Sequence, residues 1–175
     1  MLPKRKHFIL LVIILLFSFS YATAQIKFPS PQGMVSDFSS KISQPERESL
    51  EKKLRGFGDR SGIDVAVVLI PFDWLQEYRI EDYTRELSKQ WGVGRGPEKL
   101  GLVLLVAIKS PDDKGIYQGE TRLVVSRNLE QDMPNDVAGE IIRRMRDDLK
   151  AGRFDNALNA GVDGIVAELA RKRNI

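Results

Sequence analysis

Alternating blocks of apolar and polar residues divide most of the chain into candidate strands and helices. The runs 63–70 and 102–108 are almost entirely apolar and rich in β-branched residues, which is typical of strands covered on both faces. A third strand is predicted over 121–126. Turn-forming residues at 110–115 predict that the second and third strands pair as a hairpin.

Four further segments carry apolar residues at intervals of three or four, the spacing of a helix with one buried face. The first helix is predicted over about 44–57, with Gly58 as its end. Asp132 or Asn135 is expected to cap the third helix, and Gly152 to end it. The apolar stripes are, in chain order, Leu50, Leu54 and Phe57; Ile80, Tyr83, Leu87 and Trp91; Val137, Ile141, Met145 and Leu149; and Leu158, Val162, Ile165 and Leu169.

Apolar strands that lie between helices predict an α/β protein. We expect a three-layer α/β/α sandwich with a small mixed central sheet, because the hairpin adds an antiparallel pair to strands joined through helices. One domain is expected over 33–170.

The first 24 residues have the pattern of a secretory signal peptide. Three basic residues at positions 4–6 precede an apolar run over 8–19, and Ala22 and Ala24 form the small-x-small pattern that signal peptidase reads. We expect cleavage after residue 24, an irregular leader over 25–32 and an extracytoplasmic location, periplasmic or secreted. The apolar run is short for a spanning helix, which needs about 20 residues, and no second run approaches that length, so no membrane span is expected after cleavage.

The charge balance does not favour a nucleic-acid partner. The whole chain has 27 Lys and Arg against 24 Asp and Glu. The expected signal carries three basic residues and no acidic one, so residues 25–175 have 24 of each sign. The basic pI therefore derives from the signal, and no nucleic-acid binding is expected. The remaining basic cluster, Arg171-Lys172-Arg173, is expected to be a solvated tail over 171–175.

The composition also removes several kinds of chemistry. There is no cysteine, and the single histidine, His7, lies in the expected signal. This excludes Ser-His-Asp and Cys-His catalysis in the mature chain, together with zinc sites built on His or Cys. Oxygen ligands remain, and they suit hard cations such as calcium or magnesium. The candidate carboxylates near predicted element ends, among which the sequence leaves the choice open, are Asp37, Asp59, Asp64, Asp73, Glu130, Asp132 and Asp136.

Glycines and tryptophans near the predicted element ends have simple structural interpretations. The glycines at 92, 94 and 96 follow a helix and lack the Gly-Lys-Ser/Thr ending of a phosphate loop, so they predict a plain helix-to-strand connection. Trp91 lies on an apolar stripe and is expected in the core. Trp74 follows a strand end, where we expect core packing, with an exposed rim as the alternative.

A series of short motifs follows one another in a fixed order between residues 33 and 169. They are Val35 and Asp37; Ile42-Ser43-Gln44-Pro45-Glu46; the strand at 63–70; Trp91 with Gly94; the strand from Gly101; Asn128-Leu129-Glu130; Asp136; and Gly152 and Phe154 with Gly161 and Val162. None is specific alone, but their order resembles the TPM domain family of thylakoid-lumen, bacterial and animal proteins.

The resemblance implies an α/β/α sandwich in an extracytoplasmic or lumenal protein. Some members of the family bind calcium through acidic residues, and another branch modulates a membrane receptor. By this resemblance, the protein is a calcium-binding accessory or interaction module of the cell envelope, with an envelope protein as its partner. The metal ligands are then expected to be Asp37, Glu130 and Asp136, with Asp132 as a weaker choice.

Two alternatives stay open. A plant relative has been described as an acid phosphatase, which implies a metal-dependent phosphomonoester hydrolase in which Arg122 or Arg127 would hold the phosphate. The other alternative is a metal-free partner-binding module that uses Trp74, Tyr78 and the loop at 110–120.

The chain departs from the family pattern at its Gly-Leu-Glu turn, where Asn128 replaces the glycine and is expected to adopt the same positive φ. The hairpin tip at 109–120 also looks longer than usual and carries two aspartates, Asp112 and Asp113.

Overall fold

The computed structural model describes residues 28–175, so the expected signal peptide over 1–24 and the beginning of the leader lie outside the described residues. The elements are, in chain order, strand β1 (Val35–Asp37), helix α1 (Gln44–Ser61), β2 (Asp64–Pro71), α2 (Ile80–Trp91), β3 (Gly101–Ile108), β4 (Gly119–Val125), α3 (Asn135–Lys150) and α4 (Phe154–Arg173). Short 3₁₀ helices, Phe72–Leu75 and Arg127–Leu129, follow β2 and β4. Among these residues, no helix combines the length and the apolar character that crossing a bilayer requires.

The four strands form one mixed sheet in the order β1-β2-β3-β4. β1, β2 and β3 are parallel, and β4 runs antiparallel to β3, which confirms the predicted hairpin. β3 is buried along its whole length, as its uninterrupted apolar sequence predicts for a central strand. The sequence did not predict β1, because three residues are too few to show a period.

Helices cover both faces of the sheet, which confirms the predicted three-layer sandwich. The odd-numbered residues of β2 and the even-numbered residues of β3 pack against α1, α3 and α4. The opposite residues of these strands pack against α2, mainly through Tyr83 and Leu87. This alternation follows from the two-residue period of a strand, whose neighbouring side chains point to opposite faces.

Two predicted helix boundaries are wrong for identifiable reasons. α1 passes through Gly58 and ends at Ser61, since it is Gly62 that adopts the left-handed conformation, with φ 67°, and donates its N–H to the Gly58 carbonyl. α3 is preceded by Pro134, and Asn135 is its first helical residue. Neither Asp132 nor Asn135 is therefore the cap.

The basic cluster at 171–173 forms the last turn of α4 rather than a tail, and Arg171 and Lys172 are exposed to solvent as expected. The Arg171 guanidinium pairs with Glu168 one turn earlier, and Arg173 Nε donates to Asp132 Oδ2 at 2.8 Å. The second contact ties the end of α4 to the segment that precedes α3. The chain end is thus held by ion pairs that the sequence pattern did not indicate.

Candidate functional site

The carboxylate of Asp37 holds the loop that follows β1. Its Oδ1 accepts hydrogen bonds from the backbone N–H and the hydroxyl of Ser39, both at 3.0 Å. Its Oδ2 accepts from the backbone N–H groups of Lys41 at 2.6 Å and Ile42 at 2.8 Å. Both carboxylate oxygens are therefore engaged in organising their own loop.

The other three predicted metal ligands lie between β4 and the first turn of α3. Glu130 is exposed just after the second 3₁₀ helix, and Asp136 is exposed in the first turn of α3. Asp132 is partly buried and accepts the hydrogen bond from Arg173. A negative charge in the first turn of a helix interacts favourably with its dipole, which accounts for Asp136 without a metal.

The sheet places Asp37 far from these three residues. In the register of the sheet, Asp37 lies opposite Leu69 of β2, which lies opposite Val106 of β3, which in turn lies opposite Thr121 of β4. The segment 130–136 follows the other end of β4, on the opposite edge of the sheet. Three strand spacings alone separate the two edges by about 14 Å.

As arranged, the four carboxylates do not form a shared calcium site. Within residues 28–175, no group of three or more His, Cys, Asp or Glu side chains is placed to hold a metal ion. A calcium ion needs six to eight oxygen ligands at about 2.3–2.6 Å, and two of the Asp37 ligand positions are already occupied by short hydrogen bonds. The metal-ligand assignment stays a prediction from the sequence.

Of the remaining candidates, Asp64 and Asn128 have structural roles, and Asp59 and Asp73 have no role that the described residues show. Asp64 Oδ2 accepts a hydrogen bond from the Gly94 N–H at 3.0 Å and so fixes the glycine-rich connection between α2 and β3. Asp59 and Asp73 are exposed. Asn128 does not adopt a positive φ, contrary to expectation, because it lies within a 3₁₀ helix and its side-chain amide donates to the Glu98 carbonyl at 2.8 Å.

A large groove opens at the carboxyl end of β2 and β3, where ligands of open α/β sheets usually bind. Its volume is about 660 Å³. It lies between the β3–β4 hairpin and the second half of α3, with the start of α4 beside it. We call it the aromatic–basic groove, after lining residues Phe72, Tyr117, Phe154, Lys109, Arg146 and Lys150, together with Lys41, which contacts the Tyr117 ring beside it.

The aromatic wall is held by the corner between α3 and α4. The Tyr117 N–H donates to the carbonyl of Lys150 at 2.9 Å, and the Tyr117 ring meets the Phe154 ring edge-on at 5.0 Å. A side chain at Gly152 would collide with Tyr117, since a Cβ there would lie 2.8 Å from the ring. Lys41 Nζ lies 5.1 Å from the Tyr117 ring centre, close enough for a cation–π interaction.

The basic side of the groove lacks acidic partners. Lys109 Nζ lies 4.0 Å from the centre of the Phe72 ring. Arg146 and Lys150 are one turn apart on α3, and both line the groove. Within the described part of the chain, Lys41 and these three residues form no ion pair. Three cations thus line a groove with one acidic lining residue, Glu120, and Lys41 lies beside it at the Tyr117 ring.

Sequence reasoning identified only part of this surface. The loop at 110–120 was a candidate contact, and its Ile116 is indeed exposed and lines the groove. The core position expected for Trp74 is wrong, because the side chain lies at the surface, 37% exposed, against Phe38. Trp91 is partly buried against the α2-side core, and its Nε1 donates to the Pro29 carbonyl. The sequence signal that could have revealed the groove cations is the i, i+4 spacing of Arg146 and Lys150, which puts both on one side of a helix.

The comparison with known proteins agrees with the architecture. The TPM domain model matches residues 35–168, so this small α/β protein belongs to the TPM domain family. Among curated protein sequences, none matches it significantly.

Solved structures share the fold. The N-terminal domain of a P. gingivalis protein is 24% identical with a TM-score of 0.65, and the match covers 79% of this chain and 82% of that one. The BA42 protein of Bizionia argentinensis is 14% identical with a TM-score of 0.60, over 77% and 86% of the two chains. An N-terminal domain from Corynebacterium glutamicum is 14% identical with a TM-score of 0.53, over 82% and 86%.

Proposed function

We propose that this TPM domain works outside the cytoplasm as an interaction module that binds an acidic segment of an envelope protein in its aromatic–basic groove. The observation that carries the proposal is the set of four cations without acidic partners beside aromatic rings at the carboxyl end of the sheet. The extracytoplasmic location rests on the signal-like pattern over residues 1–24.

The positive charge of the groove gives it a preference for acidic ligands. Lys109, Arg146 and Lys150 are opposed in the lining by Glu120 alone, and Lys41 adds a fourth positive charge beside the Tyr117 ring. A ligand with carboxylates would therefore complete ion pairs that the described residues lack. Such pairs at a partly exposed surface mainly raise the association rate and select the sign of the partner. They are also screened by salt, so we expect affinity to fall as ionic strength rises.

The aromatic rings would supply the apolar part of the binding energy. Phe72, Tyr117 and Phe154 present ring surface to the groove, and the first two already hold lysine ammonium groups over their faces. Large rings at the centre of a contact contribute strongly because they bury area at a small cost in side-chain entropy. The best ligand is therefore an acidic segment that also carries an aromatic or large aliphatic side chain.

The test is a binding measurement on the domain over residues 25–175. The probe is a fluorescein-labelled peptide of glutamate and tryptophan, followed by fluorescence anisotropy at low and high salt. The double variant Lys109→Gln/Arg146→Gln is expected to bind at least about tenfold more weakly than the wild type, a loss of about 1.4 kcal/mol.

The matched control is Arg143→Gln/Arg144→Gln. It removes the same charge, both of its arginines lie on α3 together with Arg146, and both pair with Glu140 outside the groove. This variant is expected to bind like the wild type. If both variants weaken binding equally, only net charge matters, and the groove is not the binding site.

Calcium binding and phosphomonoester hydrolysis both stay predictions from the sequence. The described residues bring no carboxylate cluster together for a metal. Of the two arginines considered for phosphate, Arg122 is bonded to Glu81 at 3.1 Å, and Arg127 begins the second 3₁₀ helix and is exposed. No geometric observation favours either activity over binding.

A further inference from the structure

The outer edge of β4 is a second surface, built from residues other than the groove cations. β4 is an edge strand of seven residues, and it pairs with β3 alone. Gln118 and Ser126 flank it and are bonded inward, since Lys109 N–H donates to the Gln118 carbonyl and Ser126 N–H to the Gly101 carbonyl.

The antiparallel ladder fixes which backbone groups of β4 point outward. Bonded and non-bonded pairs alternate along such a ladder, so the even-numbered residues of β4 bond to β3. The N–H and carbonyl groups of the odd-numbered residues point away from it: Gly119, Thr121, Leu123 and Val125. Among residues 28–175, no group forms a hydrogen bond with these outward backbone groups.

A cleft of about 290 Å³ runs along this edge. Residues 122–125 form its floor. Glu81 and Arg85 of α2 line one side, and Glu130, Met133, Pro134 and Asn135 line the other. The α2 side of the cleft is therefore charged, and the opposite side combines apolar residues with Glu130 and Asn135.

The charged wall has more cations than anions. Glu81 is shared by three arginines: its carboxylate lies 3.0 Å from Arg85, 3.1 Å from Arg122 and 3.9 Å from Arg79. The Nε of Arg122 is also buried and has no hydrogen-bond partner in the described structure. A buried donor without an acceptor is costly. The Arg122 side chain as a whole is 37% exposed, so its terminal guanidinium nitrogens can donate to a carboxylate of a ligand.

We infer that the edge of β4 binds an extended segment of a partner polypeptide by strand addition, and that this segment alternates acidic and apolar side chains. The outward N–H and carbonyl groups supply the ladder for the added strand. Because successive side chains of a strand point to opposite faces, one set would meet the arginines around Glu81 and the other would meet Met133 and Pro134. This site goes beyond the proposed function, since it shares none of the groove cations.

The first experiment measures binding of a fluorescein-labelled peptide that alternates glutamate and valine. The measurement is made in the groove variant Lys109→Gln/Arg146→Gln, in which the groove's own affinity for acidic peptides is reduced, and adding Arg122→Gln is expected to weaken binding of this peptide at least tenfold. Arg144→Gln removes the same charge elsewhere and serves as the control, and thermal melting checks that each variant is folded. If Arg122→Gln binds like Arg144→Gln, the inference is overturned.

The second experiment leaves the protein unchanged and alters the probe. One form of the peptide is N-methylated at its valines and another at its glutamates. In an added strand only alternate N–H groups face β4, so one form is expected to lose binding at least tenfold while the other keeps it. Equal affinity of the two forms overturns strand addition, even if the groove binds its own acidic ligand.

Discussion

At the scale of single residues, Asp37 illustrates how one carboxylate can serve two interpretations. In the sequence it is an acidic residue after a short apolar segment, which suits a metal ligand. In the structure its two oxygens accept four hydrogen bonds, three of them from backbone N–H groups between Ser39 and Ile42. A short polar side chain that caps a turn in this way supports the local backbone.

Replacing this carboxylate should therefore destabilise the fold independently of calcium. We expect Asp37→Ala to lower the free energy of unfolding by about 2–3 kcal/mol, since partly buried N–H groups lose a charged acceptor. Urea unfolding with and without millimolar calcium measures this. A loss that grows when calcium is present would show instead that the ion binds at Asp37. Asp136→Asn, at an exposed position, is the control and should cost less than about 1 kcal/mol.

Tyr83 gives a pH dependence. Burial raises the pKa of Tyr83 above its ordinary value of 10.0, because the phenolate is poorly solvated between α2 and the sheet. The folded protein then keeps this proton at pH values where the unfolded chain releases it. Its contribution to stability is complete below pH 10 and is lost as the pH rises through the folded-state pKa.

We therefore expect Tyr83→Phe to lose less stability than the wild type between about pH 9 and 11. Urea unfolding at several pH values in that interval measures the difference. Tyr78→Phe, at a side chain that is 41% exposed, should follow the wild-type curve. Parallel curves for Tyr83→Phe and the wild type would contradict the assignment.

At the scale of elements, the corner between α3 and α4 sets the shape of the groove. Gly152 adopts φ 71°, a region that other residues rarely enter, and its missing side chain leaves room for Tyr117. The same corner places Phe154 at the start of α4, where its ring meets Tyr117. The glycine that ends a helix in the sequence pattern is thus also a packing requirement.

Gly152 at this corner and Gly139 inside α3 should respond oppositely to substitution by alanine. Gly152→Ala is expected to lower stability by about 2 kcal/mol, because the left-handed conformation costs an alanine about 1–2 kcal/mol and Tyr117 must move. Gly139→Ala, in the interior of α3, should raise stability by about 0.5–1 kcal/mol, since its Cβ meets only the end of the Arg143 side chain. Thermal and urea unfolding compare the two. A Gly152→Ala protein as stable as the wild type would show that the corner is not constrained.

At the scale of the whole molecule, the sheet places the two candidate binding surfaces at different positions. The groove collects side chains at the carboxyl end of β2 and β3, and the edge cleft lies along β4. The two surfaces rest on separate arginines, so the Lys109→Gln/Arg146→Gln and Arg122→Gln variants should act independently. Substitutions at sites without shared partners usually have additive effects.

Much of the architecture followed from the sequence alone. The two central strands were predicted to within one residue at each end, because buried parallel strands carry unbroken apolar runs. The apolar stripes predicted four helices and hence the sandwich. The end of α1 was missed because Gly58 and Gly62 look alike in sequence, and only the second takes the left-handed conformation.

The sequence therefore determined the elements, the layers and the absence of histidine and cysteine ligands after residue 24, because periodicity and composition are local properties of the chain. Tertiary structure decided which polar groups meet. It separated Asp37 from Glu130, Asp132 and Asp136 across the sheet, and it brought Lys41 to the ring of Tyr117. Such contacts join residues far apart in the chain, and strand order and register, which no single segment encodes, set the distances between them.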